Sequence, residues 1–334
     1  MAQRKILFLR SLRSRRLEGR TSAYPAASRV RRVRVIVLLL WCLAPGALAA
    51  APLPMVQIAP GIYVHGGAQE DASAANDDEI ANVGFIVGGS AVMVIDPGGS
   101  AIEGAALREA VKAATDRPIR YVVMTHVHPD HIFGAVAFKA DNPEFIGHAR
   151  LPGALAQRGD YYVRTLRRAL GDKADGSEVV MPTRLVDTSL TVDLGDREVQ
   201  IDAHKPAHTD NDLTLLDRRT GTLWLADLLF VDRIPVIDGS AVGWVRELEA
   251  LEKVPAERAV PGHGPVSVPW PAAAAPEMRY LSAVIDDTRA AIKEGIDIGD
   301  AWRHVAVEER GRWLLFDDYH PRNVTTAYHE LEWE

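Results

Sequence analysis

The sequence predicts a mixed α and β fold. Apolar runs of strand length bounded by Gly, Pro and Asp carry the β half of that prediction, and longer stretches with apolar residues at helical intervals carry the α half. A further observation gives the pattern chemical meaning: several of the strand-like runs lead into His or Asp. In chain order, strands are expected over 61–65, 83–88 and 91–95, then a helix over 100–115, then a strand over 119–124 that runs into Thr-His-Val-His-Pro-Asp-His. Further strands are expected over 144–147, 189–194, 198–203, 213–216 and 222–226. A helix over 276–294 follows from the spacing of Met278, Leu281, Ile285 and Ile292, and a closing helix is expected over 321–333. No Gly and Ser linker, internal repeat or low-complexity tract divides the chain after residue 50.

The first fifty residues differ in kind. Eleven of the 38 Lys and Arg, but only one of the 45 Asp and Glu, precede residue 50. They lead into the apolar run 35–43 and the small residues Ala47, Leu48 and Ala49, the pattern of an export signal with cleavage near Ala49. The apolar run is too short to span a bilayer comfortably, so a periplasmic or secreted chain without a membrane anchor is expected. The single cysteine, Cys42, falls inside that run, so residues 50–334 offer neither a disulfide nor a thiolate ligand. Without residues 1–49 the formal charge moves from −7 to −17, which disfavours nucleic acid as a partner and leaves a small-molecule substrate.

His126, His128, Asp130 and His131 lie within one short loop after the apolar run 121–124. In an extended segment His126 and His128 project to one side, whereas Asp130 and His131 begin the next element and point to a neighbouring spot. One loop can thus serve two adjacent ions. His208 in PAHTDND, Asp227 at the end of GTLWLAD and His263 in VPGHGP stand at further strand-to-loop boundaries and could supply the missing ligands.

Together these residues resemble the five motifs of the metallo-β-lactamase fold superfamily, over about residues 58–266. The resemblance implies an αββα sandwich with a C-terminal helical extension: a domain over 50–268, and helices over 269–334 packed on it. It also implies one ion held by His126, His128 and His208, a second by Asp130, His131 and His263, and Asp227 bridging the two with a water or hydroxide. Imidazole and carboxylate ligands suit two zinc ions, while iron or manganese can be accommodated. Asp130 would orient the attacking water or take its proton. Asp96, ending AVMVID, matches the aspartate that orients the ligand loop without touching metal.

The implied activity is hydrolysis of an ester, thioester, lactone or lactam. An iron-dependent, persulfide dioxygenase-like redox enzyme and a non-catalytic metal-binding accessory protein are the alternatives. The C-terminal stretch DDYHPRNVTTAYHELEWE, with the export signal and THVHPDHIFG, is similar to the periplasmic quinoprotein relay system zinc metallohydrolases, which implies a quinoprotein dehydrogenase as partner. Tyr319, His320 and Arg322 are candidates for a lid or substrate wall. Of the remaining histidines, His65 and His148 could face the ligand edge of the sheet. His204, four residues before His208, is expected on the approach to its loop and not as a ligand, and His304, His320 and His329 are not assigned as ligands.

Overall fold

A computed structural model describes residues 50–334; the expected export signal and Cys42 lie outside them. Among the described residues no helix is long and apolar enough to cross a membrane. The first half of the chain contributes β1 (Val56–Ala59), β2 (Ile62–His65), β3 (Val83–Val87), β4 (Val92–Ile95), β5 (Ile119–Met124), β6 (Glu144–His148) and β7 (Arg184–Val186). They form one seven-stranded sheet in that order, antiparallel from β1 to β4 and parallel from β4 to β7. The parallel crossovers carry α1 (Ala101–Ala114), the short α2 (Pro129–Ile132) and α3 (Leu151–Leu170).

The second half forms a six-stranded sheet from β8 (Ser189–Asp193), β9 (Glu198–Ala203), β10 (Leu213–Asp217), β11 (Thr222–Phe230), β12 (Arg258–His263) and β13 (Val268–Pro269), also in chain order. Its helices are α4 (Ala241–Leu251), α5 (Ala275–Glu294), α6 (Ile298–Ala301) and α7 (Phe316–Leu331).

Strand alternation builds the layers. In β4, Met93 and Ile95 turn inward to meet Ile201, Leu215 and Trp224 of the other sheet, whereas Val92 and Val94 turn outward to meet Leu107 and Val111 of α1. Leu223 and Leu225 of β11 face away from that shared core and pack with Trp244 of α4, Tyr280 of α5 and Val324 of α7. Three apolar clusters between four layers make an αββα sandwich, with the C-terminal helices on the outer face of the second sheet. Helix α1 starts on a local device: Ser100 Oγ accepts from the Glu103 amide at 3.1 Å, and Glu103 Oε2 accepts from the Gly99 amide at 2.7 Å.

The structure extends the expected β11 and α7 and adds, among other elements, the strand β12. β11 runs on to Phe230 past a bulge, and β12 continues through Pro261 to His263, because Pro261 sits at the register irregularity opposite Ala226, where the ladder needs no donor. α7 begins at Phe316, so Pro321 lies inside it. Pro321 deprives the carbonyl of Asp317 of its helical donor, but Asp317 is exposed and water can serve. Helix α3 was not expected from the sequence, its period being interrupted by Gly153 and Gly159.

One buried ion pair fastens the sheets together. Arg197, in the β8–β9 turn, meets Asp217 through Nε at 3.0 Å and Nη2 at 2.8 Å, and its Nη1 donates to the carbonyls of Pro60 at 3.0 Å and Val87 at 2.9 Å. Both side chains are almost fully buried. Arg197→Ala should destabilise the fold by about 3–5 kcal/mol, since it strands a buried carboxylate and two carbonyls. Urea unfolding of the variant measures it.

Candidate metal centre

The metal loop obeys its proline. Pro129 disfavours helical backbone at His128, which is extended at φ −69° and ψ 146°, and then opens α2 as its first residue. His126 and His128 therefore precede the turn, and Asp130 and His131 follow it. The structure gathers all seven candidate residues into two adjoining groups: His126, His128, His208 and Asp227 in one, Asp130, His131 and His263 in the other, with ligand-type atoms within 4.8 Å of one another in each.

Asp227 lies between the groups. Its Oδ2 is 3.3 Å from His208 Nε2, 3.6 Å from His126 Nε2 and 3.5 Å from His263 Nε2, and its Oδ1 is 3.0 Å from His131 Nε2. Asp130 Oδ2 is 3.3 Å from His263 Nε2 and 3.6 Å from His131 Nε2. Two backbone features aim these groups. Ala226 takes φ +46° at the bulge in β11, a conformation that costs a non-glycine residue free energy and turns Asp227 toward the loop. Opposite it only Gly262 fits, because a Cβ there would lie 1.9 Å from Asp227 Oδ1.

The outer nitrogens of the imidazoles decide what the inner ones can do. His208 Nδ1 donates to the carbonyl of Val236 at 2.7 Å, and His263 Nδ1 to that of Ile80 at 2.9 Å. His131 Nδ1 bonds Asp96 Oδ2 at 2.9 Å, and His128 Nε2 bonds Asp238 Oδ2 at 3.1 Å. The Thr125 hydroxyl donates to Asp96 Oδ2 at 3.0 Å and so accepts from His126 Nδ1 at 3.0 Å. A neutral imidazole carries one proton, and these acceptors hold it on the outside. Five inner ring nitrogens then converge, His208 Nε2 standing 2.9 Å and His126 Nε2 3.1 Å from His128 Nδ1. Lone pairs repel at that distance unless a cation lies among them. His131 Nε2 and Asp227 Oδ1 are buried and face each other at 3.0 Å without the geometry of a hydrogen bond, as atoms that share a metal ion would. The donor set fits a pair of divalent cations.

The charges agree. Burial holds His126 well below the usual histidine range and takes His208 down to about 3, so both stay neutral ligands. For His131 burial acts the same way, but the carboxylates of Asp227, Asp130 and Asp96 outweigh it and raise its pKa well above the ordinary value. A proton there occupies the place a metal ion would take.

Asp96 holds this shell at the end of β4. It adopts φ +51° and accepts from the Thr125 amide at 2.9 Å as well as from His131. Other supports have no signal in the sequence. The ring of Phe230 stacks on His263 with centroids 4.9 Å apart, and Trp244 meets His208 edge-on at 5.2 Å. Asn323 of α7 donates to the carbonyl of Pro235 at 2.6 Å and accepts from the Ile237 amide at 2.9 Å, which clamps the segment that carries the Val236 carbonyl and Asp238.

Next to the groups opens a cleft of about 530 Å³, lined among others by Asp130, Asp227, Phe230, Asp238, His263, Tyr319 and Arg322. Of the three residues expected as a wall, Tyr319 and Arg322 reach it. His320 does not: it is buried against Tyr280, its Nδ1 3.1 Å from the Tyr280 hydroxyl and its Nε2 3.0 Å from the Val305 carbonyl. His65 bonds the Pro54 carbonyl, His148 accepts from the Arg150 amide, and His204 lies between Glu247 and Thr214; none joins either group. His304 and His329 are exposed.

The sequence profile of the metallo-beta-lactamase superfamily matches residues 76–263, a span that includes all seven candidate ligands. No curated protein matches the sequence. Among solved structures, a metallo-beta-lactamase from Pontibacter korlensis is similar with a TM-score of 0.56 and 15% identity, over 69% of this chain and 99% of that one. The stereoselective inverting sec-alkylsulfatase Pisa1 from Pseudomonas sp. is similar with a TM-score of 0.62 and 16% identity, over 84% of this chain and 50% of that one. At such identities the likeness is one of fold.

Proposed function

Because the chain belongs to the metallo-β-lactamase superfamily, we propose that it is a dinuclear zinc hydrolase of an ester, thioester, lactone or lactam. In this reading His126, His128 and His208 hold one ion, Asp130, His131 and His263 the other, and Asp227 bridges them. The convergence of five imidazole nitrogens and two carboxylates beside an open cleft carries the proposal. When bound, divalent ions polarise a carbonyl and lower the pKa of a coordinated water from near 16 to about 7. The protein's own part is orientation and proton handling. Asp130 and Asp227 both line the cleft, and Asp227 reaches nitrogens of both groups as the bridge, so Asp130 is the carboxylate assigned to align an attacking water and accept its proton. Assay of the zinc-loaded protein against matched esters, thioesters, lactones and lactams tests the reading: turnover that a chelator abolishes and zinc restores is expected, and a panel without turnover would refute hydrolysis. One iron per chain with oxygen consumption would favour the redox alternative.

The clamp by Asn323 makes α7 part of this centre. Asn323→Ala should cost about 1–3 kcal/mol by leaving buried partners unsatisfied. It should also loosen the ion at His126, His128 and His208 before the other, as read by zinc release against a competing chelator.

The proposed compartment is the periplasm, supported by the basic and apolar residues 1–49. Intact mass of the exported protein should place its first residue within a few positions of Ala50. The proposed partner is a quinoprotein dehydrogenase, supported by the finer sequence resemblance and tested by copurification with such an enzyme.

A further inference from the structure

We propose that Glu277 of α5 is a positioning residue of the metal centre: it fixes Phe230, and through the Phe230 ring it fixes His263 and His208, one ligand of each ion. The inference rests on the two-ion reading above and adds to it a residue that lies outside both ligand groups.

Phe230 stands where β11 has outrun one of its neighbours. The register of β10 with β11 ends at Trp224, whereas on the other side β12 accompanies β11 as far as His263, opposite Phe230. The side of β11 away from β12 therefore carries buried backbone groups with no strand to meet them. Two helices meet them instead. Trp244 Nε1 of α4 donates to the carbonyl of Leu228 at 3.2 Å, and Glu277 Oε1 of α5 accepts from the amide of Phe230 at 3.1 Å. Val231, one residue on, faces the other way and donates to the carbonyl of His263 at 3.0 Å.

A carboxyl group is costly to bury, and Glu277 is 0% exposed, on a helix whose Tyr280 and Leu281 belong to the outer apolar cluster. Among the described residues the Phe230 amide is its only hydrogen-bond partner, and its Oε2 has none. Burial raises its pKa well above the usual carboxylate range; the Phe230 amide opposes the rise without prevailing, and the charge of Asp227 adds to it. Glu277 is thus a neutral acid that serves one strand amide and puts no further negative charge near Asp227.

The ring of Phe230 carries that bond to the site. It stacks on His263 with planes 23° and centroids 4.9 Å apart, lies 5.6 Å from the ring of His208, and meets Trp244 edge-on at 6.0 Å. His263 belongs to one ligand group and His208 to the other. A backbone carbonyl already holds the outer nitrogen of each imidazole, which fixes the tautomer but leaves the ring free to tilt about that bond. The Phe230 ring removes that freedom from both.

The test measures zinc release to a competing chelator from the purified, zinc-loaded parent and from Glu277→Gln, Glu277→Leu, Phe230→Leu and the double leucine variant, with urea unfolding of each. Gln keeps the acceptor and the shape, so it should hold both ions within about twofold of the parent, whereas Glu277→Leu should weaken both by about tenfold to a hundredfold, the range for loss of a residue that orients ligands. Phe230→Leu should do the same, and the double variant should lose no more than either single one, because both changes act through one ring. Zinc held as tightly by Glu277→Leu as by the parent, with only the urea midpoint lowered, would make Glu277 a residue of the fold alone and overturn the proposal. A Gln variant as weak as the leucine one, or losses that add in the double variant, would overturn it too. If Glu277→Leu does not fold, Glu277→Asp, one methylene shorter and out of reach of the amide, decides by the same loss of zinc. A parent that binds no zinc would refute the two-ion reading, and this inference with it.

Discussion

Asp130→Asn should lower hydrolysis by about a hundredfold to ten-thousandfold while the circular dichroism spectrum stays that of the parent. Asn fills the same space, so the fold has no reason to change. What disappears is a negative charge facing His131 and His263, on a carboxylate that borders both the cluster and the cleft. The neighbouring imidazoles hold Asp130 in its charged form: burial acts to raise its pKa, but His131 and His263 outweigh it and bring it below the usual carboxylate range. It is therefore unprotonated across the whole neutral range and able to accept a hydrogen bond from an attacking water. Steady-state kinetics with zinc content measured on the same sample checks this, and a variant with both ions and an undiminished rate would remove Asp130 from catalysis.

Asp227→Ala should weaken both ions together, because Asp227 alone reaches nitrogens of both groups. His208→Ala and His263→Ala should divide the loss: the first should release chiefly the ion shared with His126 and His128, the second chiefly the ion shared with Asp130 and His131. Each deletion removes one of three terminal ligands from one ion only. Zinc retained per chain after graded chelation separates the cases, and equal loss of both ions in all three variants would show a single cooperative site.

The candidate site was largely legible in the sequence because it is made of rare side chains at the ends of strands. His126 and His128 with Asp130 and His131 are read from one loop, and Pro129 accounts for the change of direction between them. The sandwich was legible in part: apolar runs of strand length reveal β3, β4 and β5, whereas α3 hides behind its glycines, and β12 behind a proline that only its place opposite the bulge explains. Asn323 was not legible. It is a single polar residue whose meaning depends on partners distant in the chain, the 235–237 segment. Burial turns this ordinary residue into a clamp, and no local pattern encodes burial at that range. His320 shows the converse. It sits between two residues that reach the cleft, and helical geometry sends it the other way, into the core beside Tyr280.

The central claim is that five imidazoles and two carboxylates form a two-ion centre. Metal analysis of the purified protein by inductively coupled plasma mass spectrometry, after zinc loading and removal of weakly bound ions, tests it most directly. The account predicts two zinc ions per chain in the parent and about one in His263→Ala; a parent that retains none, or one that the His263→Ala variant holds equally well, would contradict it.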